Sequence, residues 1–190
     1  MRRWIVLALV LLAGTMTLRP MLGHAQQADS GALLTAVALT EADLPAGLAL
    51  DQGRSGLRPG EAGEQSYLAT FVGNGTGPLP IMGVINIVSE SPNPTAAMDR
   101  LTDRFRTGLG GTPTDVAAPG LGEGSSAFTV TSSMMGGAMT ATTTFVALRR
   151  ADVVAGVAVT MLGDTPQTDV ALRLARSVDQ RLAAALRPGT

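Results

Sequence analysis

Cysteine and lysine are both missing from this 190-residue sequence, and histidine occurs only once, as His24. Without thiols no disulfide can form, so the fold must be stabilised by packing. Ser–His and Cys–His nucleophilic sites need an imidazole or a thiol, and Schiff-base enzymes and Walker A loops need a lysine. Zinc and copper sites use imidazole and thiolate ligands. Because we expect His24 to be removed on export, the rest of the chain predicts no enzyme, no metal site and no cofactor.

Aromatic residues are also scarce, at 3% of the chain, and the formal net charge is −1. Three of the fourteen arginines lie in the first 25 residues, which leaves eleven arginines against fifteen carboxylates. Nucleic-acid binding relies on a cationic groove and on aromatic side chains that stack with bases. The composition therefore argues against a nucleic acid as the partner.

The N-terminus has the pattern of an export signal. Arg2 and Arg3 precede an uninterrupted apolar run over residues 4–14, and Gly23 and Ala25 supply a small-x-small cleavage site. The run is shorter than the roughly 20 residues of a membrane-spanning helix. We therefore expect residues 1–25 to be a signal peptide and residues 26–190 to form one secreted or extracytoplasmic domain with no membrane span after cleavage. An uncleaved N-terminal anchor is the alternative.

The remaining sequence alternates between strand and helix patterns. β-branched runs bounded by Gly, Pro and Asn predict strands, at residues 65–72, 81–90, 125–132, 140–150 and 153–162. Apolar residues spaced three and four apart predict helices after Asn93-Pro94 and after Thr165-Pro166, and residues 32–39 favour a shorter one. Residues 26–31 look like a flexible leader, and residues 52–63 look like an exposed loop. We expect an α+β fold, a single domain with a curved, mainly antiparallel sheet and helices packed on one face.

The second strand of the last hairpin has unequal faces. One face carries four valines or alanines and Met161, whereas Val154, Gly156, Ala158, Thr160 and Leu162 form a smaller face. We expect this smaller face, the loop at residues 52–63 and the turn containing Met134, Met135 and Met139 to form a binding surface. Adaptable packing is the alternative for the methionines, and copper(I) binding a remote one.

Arg149 and Arg150 complete the candidate surface. They would contact an anionic partner or simply cap an exposed hairpin end. Asp99 and Asp103 are four residues apart on one predicted helix beside three arginines, which favours a solvated charged face over a catalytic pair. A hydrolase that uses only carboxylates stays open as the enzyme alternative, and it would need two acids converging in one cleft.

Several strings resemble a diffuse group of small exported proteins of Actinobacteria and Chloroflexi. They are LTEADLPAGLAL at 39–50, PGLGEGSSAFTV at 119–130, TFVALRRADVVAGVAV at 144–159 and LARSVDQRL at 174–182. The group is similar in layout to mycobacterial LpqN-type lipoproteins and to extracellular sensor domains of kinases, which implies a PsbP-like sheet with helices. Two departures are the missing lipid-anchoring cysteine and the pair Ala151-Asp152, where a glycine-containing pair is usual. We therefore expect a slightly longer turn there.

These observations together predict an exported, non-catalytic domain that binds a small apolar ligand or an envelope protein. A structural or assembly factor of an envelope complex is the alternative role.

Overall fold

The computed structural model describes residues 22–59, 64–73, 81–118 and 120–187 of the chain, without the side chains of residues 22–29, 81, 82, 134 and 135. Within these ranges eight strands form one antiparallel sheet. They are β1 (Leu48–Leu50), β2 (Gly56–Pro59), β3 (Gln65–Gly73), β4 (Ile81–Glu90), β5 (Pro113–Val116), β6 (Gly124–Met134), β7 (Met139–Arg150) and β8 (Val153–Leu162). The expected α+β class and single antiparallel sheet are confirmed.

The strand order is β1-β3-β4-β8-β7-β6-β5. β1 and β2 share the same edge of β3: β1 pairs with its last residues and β2 with its first residues. The central strands β4, β8 and β7 are rich in Val, Ile, Ala and Thr and lack proline, as interior strands require. Residues 52–63 were expected to be a loop, but residues 56–59 of that segment form β2 and residues 60–63 lie outside the described ranges.

Three helices flank the sheet within the described ranges: α1 (Leu22–Val37), α2 (Pro94–Gly108) and α3 (Thr168–Ala185). The start of α2 is as predicted, because Asn93 Oδ1 accepts a hydrogen bond from Ala96 N at 3.2 Å and Pro94 follows. The predicted start of α3 is wrong, because the N-cap of this helix is Gln167 rather than Thr165. Residues 26–31 belong to α1 rather than to a leader, and cleavage after Ala25 would remove residues 22–25 from this helix.

The helices are divided between the two faces of the sheet, rather than sharing the single face that the sequence predicted. α1 and α3 cover one face, where Leu34, Leu174 and Val178 pack with Val146, Val157 and other buried residues. α2 covers the other face, where Met98, Leu101 and Phe105 pack on Phe128, Phe145 and Ala158. β7 and β8 have apolar residues at successive positions, and side chains alternate between the two faces of a sheet. Both faces of these strands are therefore apolar, and each face is covered by a helix.

Candidate functional site

A cleft of about 110 Å³ lies between α2 and the β3–β4–β8 part of the sheet. Residues of β3, β4 and β8 form one wall and residues of α2 form the other. The described residues that line it are Glu64, Ser66, Ile87, Ser89, Ala97, Arg100, Leu101, Arg104 and Val154. The cleft exists because α2 packs over β6, β7 and β8 through its aromatic contacts and leaves the β3 side of this face less covered.

The sheet wall offers a pair of hydroxyl groups. Ser66 on β3 and Ser89 on β4 are directly opposite in the antiparallel register, and their Oγ atoms are 2.7 Å apart. Directly opposite residues on one face of a sheet have neighbouring side chains, so the register alone brings the two hydroxyls together. Ile87 and Val154 add apolar surface on the same wall.

Glu64 lies at one end of the cleft, just before β3, and its side chain is only 10% exposed. Its Oε1 accepts a hydrogen bond from Ser91 Oγ at 2.6 Å and another from Arg100 Nη2 at 2.8 Å. Ser91 Oγ in turn accepts from Asn93 N at 3.2 Å. This network joins the start of β3 to the first turn of α2 and fixes the position of Arg100, whose side chain is 45% exposed.

The helix wall presents two arginines on successive turns. Arg100 and Arg104 are four residues apart, which places both side chains on the same side of α2. Among the described lining residues, these two arginines and Glu64 are the charged ones. Hydroxyl donors, guanidinium groups and a short apolar surface can hold a small molecule in one orientation. A serine nucleophile would also need a neighbouring base, and among the described lining residues the one carboxylate is that of Glu64, which is bonded to Arg100 and Ser91.

The residues predicted from the sequence lie outside the cleft, with the methionines at one end of β7 and the two arginines at the other. Met139 and Arg150 are the first and last residues of β7, so their backbones are about 36 Å apart at the usual rise of a strand. Met139 is 38% exposed. The side chains of Met134 and Met135 lie outside the described part of the structure.

The two arginines of the predicted surface both form ion pairs within the molecule. Arg150 forms a two-pronged ion pair with the buried Asp179 of α3, with Nε–Oδ1 at 2.8 Å and Nη2–Oδ2 at 3.1 Å. Hydrogen bonding to Asp179 raises the pKa of Arg150 and outweighs the opposite effect of burial. Arg149 lies 3.6 Å from Glu123. Arg150 therefore attaches a helix to the sheet rather than capping an exposed hairpin end.

The smaller face of β8 is largely covered. Gly156 and Ala158 lie under α2, and a methyl group at Gly156 would be 3.0 Å from Leu101 Cδ2 and 3.1 Å from the Phe145 ring. That face was predicted to be part of the binding surface, but its small residues instead give α2 room to approach. Only Val154, at one end, lines the cleft.

One pair of carboxyl groups does converge. Burial raises the pKa of Glu90, and the charge of Asp152 and a hydrogen bond with it raise it further. Glu90 ends β4 and Asp152 lies in the β7–β8 turn, where its carbonyl accepts from Ser91 N at 2.8 Å. Alternation along β4 points Glu90 away from the face that carries Ser89, and neither acid lines the cleft. Asp99 and Asp103 are exposed on α2, as the solvated interpretation predicted.

Sequence reasoning missed Glu64, Ser66, Ser89, Arg100 and Arg104 as a group. The signal for the arginines was present, since they are four apart on a helix with an apolar stripe. The signal for the serines was weaker, since each is one of several polar residues in its strand. These five residues come together only through the β3–β4 register and the position of α2 on the sheet.

No family model, no curated protein and no solved structure matches this chain. Among the described residues, no helix is long and apolar enough to cross a membrane. In the same ranges, no group of three or more His, Cys, Asp or Glu side chains could hold a metal ion.

Proposed function

We propose that this protein is an exported, non-catalytic domain that binds a small molecule in the cleft between α2 and the sheet. The observation that carries the proposal is the cleft itself, in which apolar and hydrogen-bonding side chains from four separate segments converge on a volume of about 110 Å³. An apolar cavity of about 150 Å³ is known to hold a benzene ring, so this volume suits a ligand, or part of one, with a handful of non-hydrogen atoms. The mixed lining favours a polar end group over the purely apolar ligand that the sequence suggested.

An envelope protein as the partner has less support. Among the described residues the large exposed hydrophobic side chains are Leu57, Val72 and Met139. Leu57 pairs with Tyr67, so it shares the α1 face, whereas Val72 lies on the opposite face of β3. Met139 is on β7, three strands along the sheet from β3. These side chains do not form the continuous apolar patch that a docking site for a protein usually has.

The two remaining alternatives, a carboxylate hydrolase and an assembly factor, also rest on the sequence alone. The Glu90–Asp152 pair satisfies one condition of a carboxylate hydrolase, but it lies outside the cleft, where a substrate would have to bind. A role as an assembly factor would need an extended contact surface for other subunits. The resemblance to LpqN-type lipoproteins stays a prediction, and it is compatible with a ligand-binding role.

Nuclear magnetic resonance can test the proposal on the purified full chain. Butanol, butyramide and butyrate are added one at a time while the amide signals of β3, β4 and α2 are followed. We expect at least one probe to shift these signals in a saturable way. Ala97→Trp, which fills the cleft from the helix side, and Ser66→Phe, which fills it from the sheet side, should both remove the shifts.

Ala184→Trp is the matched control, because Ala184 is exposed on α3, away from the cleft. It should bind the probe as the unaltered protein does. Shifts that persist in both cleft-filling variants, or no saturable shift with any of the three probes, would contradict the proposed binding site.

A further inference from the structure

The charge of the cleft lining is unevenly placed. The negative member, Glu64, is nearly buried and is already bonded to Arg100 and Ser91. The positive members of the described lining, Arg100 and Arg104, are exposed residues of α2. A molecule from solvent can therefore reach the guanidinium groups more readily than the carboxylate of Glu64, which is only 10% exposed. Guanidinium groups form their strongest hydrogen bonds with carboxylate and phosphate oxygens.

The buried Glu64 also determines how Arg100 is presented. Its Oε1 bonds one terminal nitrogen of Arg100, which restricts the rotation of the long side chain. A guanidinium that is already oriented loses less conformational entropy when it binds a second acceptor. Glu64 thus acts as a positioning residue for the arginine rather than as a competitor exposed to solvent.

The serine pair contributes a donor of the matching kind. When two hydroxyl groups share one hydrogen bond, one proton lies between them and the other hydroxyl proton points elsewhere. Ser66 and Ser89, with Oγ atoms 2.7 Å apart, therefore have one hydroxyl proton that can be donated to a ligand in the cleft that they line. Donors from both walls suit a ligand group that only accepts, such as an ionised carboxylate or phosphate.

The apolar part of the lining limits the rest of the ligand. Ile87, Leu101, Ala97 and Val154 supply aliphatic surface, and within about 110 Å³ they leave room for a short chain rather than a ring system with substituents. Burying a methylene group against such surface is worth about 0.8 kcal/mol for folding or transfer, so a chain of a few carbons adds useful affinity.

From these contacts we propose that the ligand group bound in the cleft is an organic anion, a carboxylate or a phosphate monoester, attached to a short aliphatic chain. Arg100 and Arg104 bind the anionic group, the Ser66–Ser89 pair donates to it, and the chain lies on Ile87 and Leu101. This inference rests on the proposed function and specifies the chemistry that the cleft selects.

The test compares butyrate with butyramide, which has nearly the same size and shape but no charge. Both are titrated against the full chain at pH 7 and low salt, with the amide signals of β3, β4 and α2 as the readout. We expect butyrate to bind with a Kd on the order of 1 mM, the usual range for such a small ligand, and butyramide at least about tenfold more weakly.

Three variants separate the roles of the charges. Arg104→Gln should weaken butyrate at least about tenfold and leave butyramide unchanged, because the substitution removes the charge that strengthens hydrogen bonds to an anionic group. Arg104→Glu should abolish butyrate binding. Arg176→Gln removes an exposed arginine of α3 and should change neither affinity. The amide spectrum of each unliganded variant shows directly whether it is folded.

A parallel titration with propyl phosphate distinguishes the two sources of anionic oxygen. Tighter binding of propyl phosphate than of butyrate would assign the cleft to phosphate monoesters, and the reverse would assign it to carboxylates. Equal binding of butyrate and butyramide would overturn the anion assignment while leaving a small-molecule site in place. No saturable shift with any of these probes would overturn both the anion assignment and the proposed function.

Discussion

At the scale of single residues, the backbone of Ala151 is the least expected feature. The register pairs Arg150 with Val153, so the β7–β8 turn contains only two residues, Ala151 and Asp152. Ala151 has a φ of 51°, in the left-handed region that side chains with a Cβ avoid. The longer turn predicted from the missing glycine is therefore wrong. The chain keeps the tight turn and accepts the local strain, and Ala151 N donates to Glu123 Oε1 at 3.2 Å.

Replacing Ala151 with glycine should stabilise the protein. The left-handed conformation costs a residue with a Cβ about 1–2 kcal/mol, and glycine avoids that cost while losing somewhat more entropy on folding. We expect a net gain of about 1 kcal/mol in the free energy of unfolding, measured by urea denaturation. Ala96→Gly inside α2 is the matched control and should lose about 1 kcal/mol. A loss of stability in both variants would contradict the strained turn.

Glu90 makes the stability depend on pH. Its raised pKa means that the folded protein holds the Glu90 proton more tightly than the unfolded chain does. Stability from this group is therefore present below about pH 4.3, the ordinary pKa of a glutamate. It is lost as the pH rises through the raised pKa, where the ionised carboxylate faces Asp152.

Glu90→Gln should accordingly raise the melting temperature at pH 7 and leave it unchanged at pH 3, where both states of the natural chain are protonated. Asp152→Asn removes the same repulsion and should also raise the melting temperature at pH 7. Thermal unfolding followed by circular dichroism between pH 3 and pH 8 measures the difference. If the difference in melting temperature between Glu90→Gln and the unaltered protein does not change with pH, the carboxyl pair is ruled out as the cause of that difference.

At the scale of elements, α3 is attached to the rest of the fold by ion pairs as well as by its apolar face. Asp179 binds Arg150 of β7. Arg181 Nη2 binds Asp43 Oδ1 at 2.5 Å, and its Nη1 donates to Ala38 O at 2.6 Å. Burial would raise the pKa of Asp43, but hydrogen bonds from Arg181 and Thr40 hold it below its ordinary value. The two pairs set the rotation of α3 against both the sheet and the segment that follows α1.

Asp179→Asn should destabilise the protein strongly, because Arg150 would keep its charge in a half-buried position without a counter-charge. Breaking a buried pair from one side costs about 3 kcal/mol or more, and we expect a loss of that order in urea denaturation. Asp164→Asn, at an exposed aspartate before α3, is the matched control and should change stability by less than about 0.5 kcal/mol. Equal small effects would show that the ion pair does not anchor α3.

The helices themselves could be predicted in large part, but their placement could not. The apolar stripe of α2 was visible as Met98, Leu101, Phe105 and Leu109, and all four pack on the sheet. Phe105 stacks on Phe145 with ring centroids 4.2 Å apart. However, β7 and β8 are apolar on both faces, and the sequence pattern does not say which face a given helix covers. The division of the helices between faces depends on contacts between residues far apart in the chain.

At the scale of the whole molecule, the strand order decides where chemistry can occur. β4 and β8 are neighbours although the chain between them includes α2, β5, β6 and β7. This pairing brings Val154 beside Ser89. The packing of α2 on this face of the sheet then places Arg100 and Arg104 at the same cleft. The individual strands were predictable from β-branched runs. Their order and register were not, since these depend on the sum of many non-local contacts.

The binding surface predicted from the sequence was also limited by the lack of information about contacts between elements far apart in the chain. Met139 and Arg150 were assigned to one binding surface, yet they are the first and last residues of the twelve-residue strand β7. Local patterns place a residue on an element but not beside residues of another element. The cleft combines residues from β3, β4, β8 and α2, so no single stretch of sequence could have shown it.

The most direct measurement of the central claim is a crystal structure of the full chain soaked with 2-bromobutyrate, using the anomalous signal of bromine to locate the ligand. We expect one bromine peak between α2 and β4, near Ile87 and Leu101, with the carboxylate within hydrogen-bond distance of Arg100 or Arg104. A bromine peak at the Met139 turn with an empty α2 cleft would contradict the account and return the binding site to the surface suggested by the sequence.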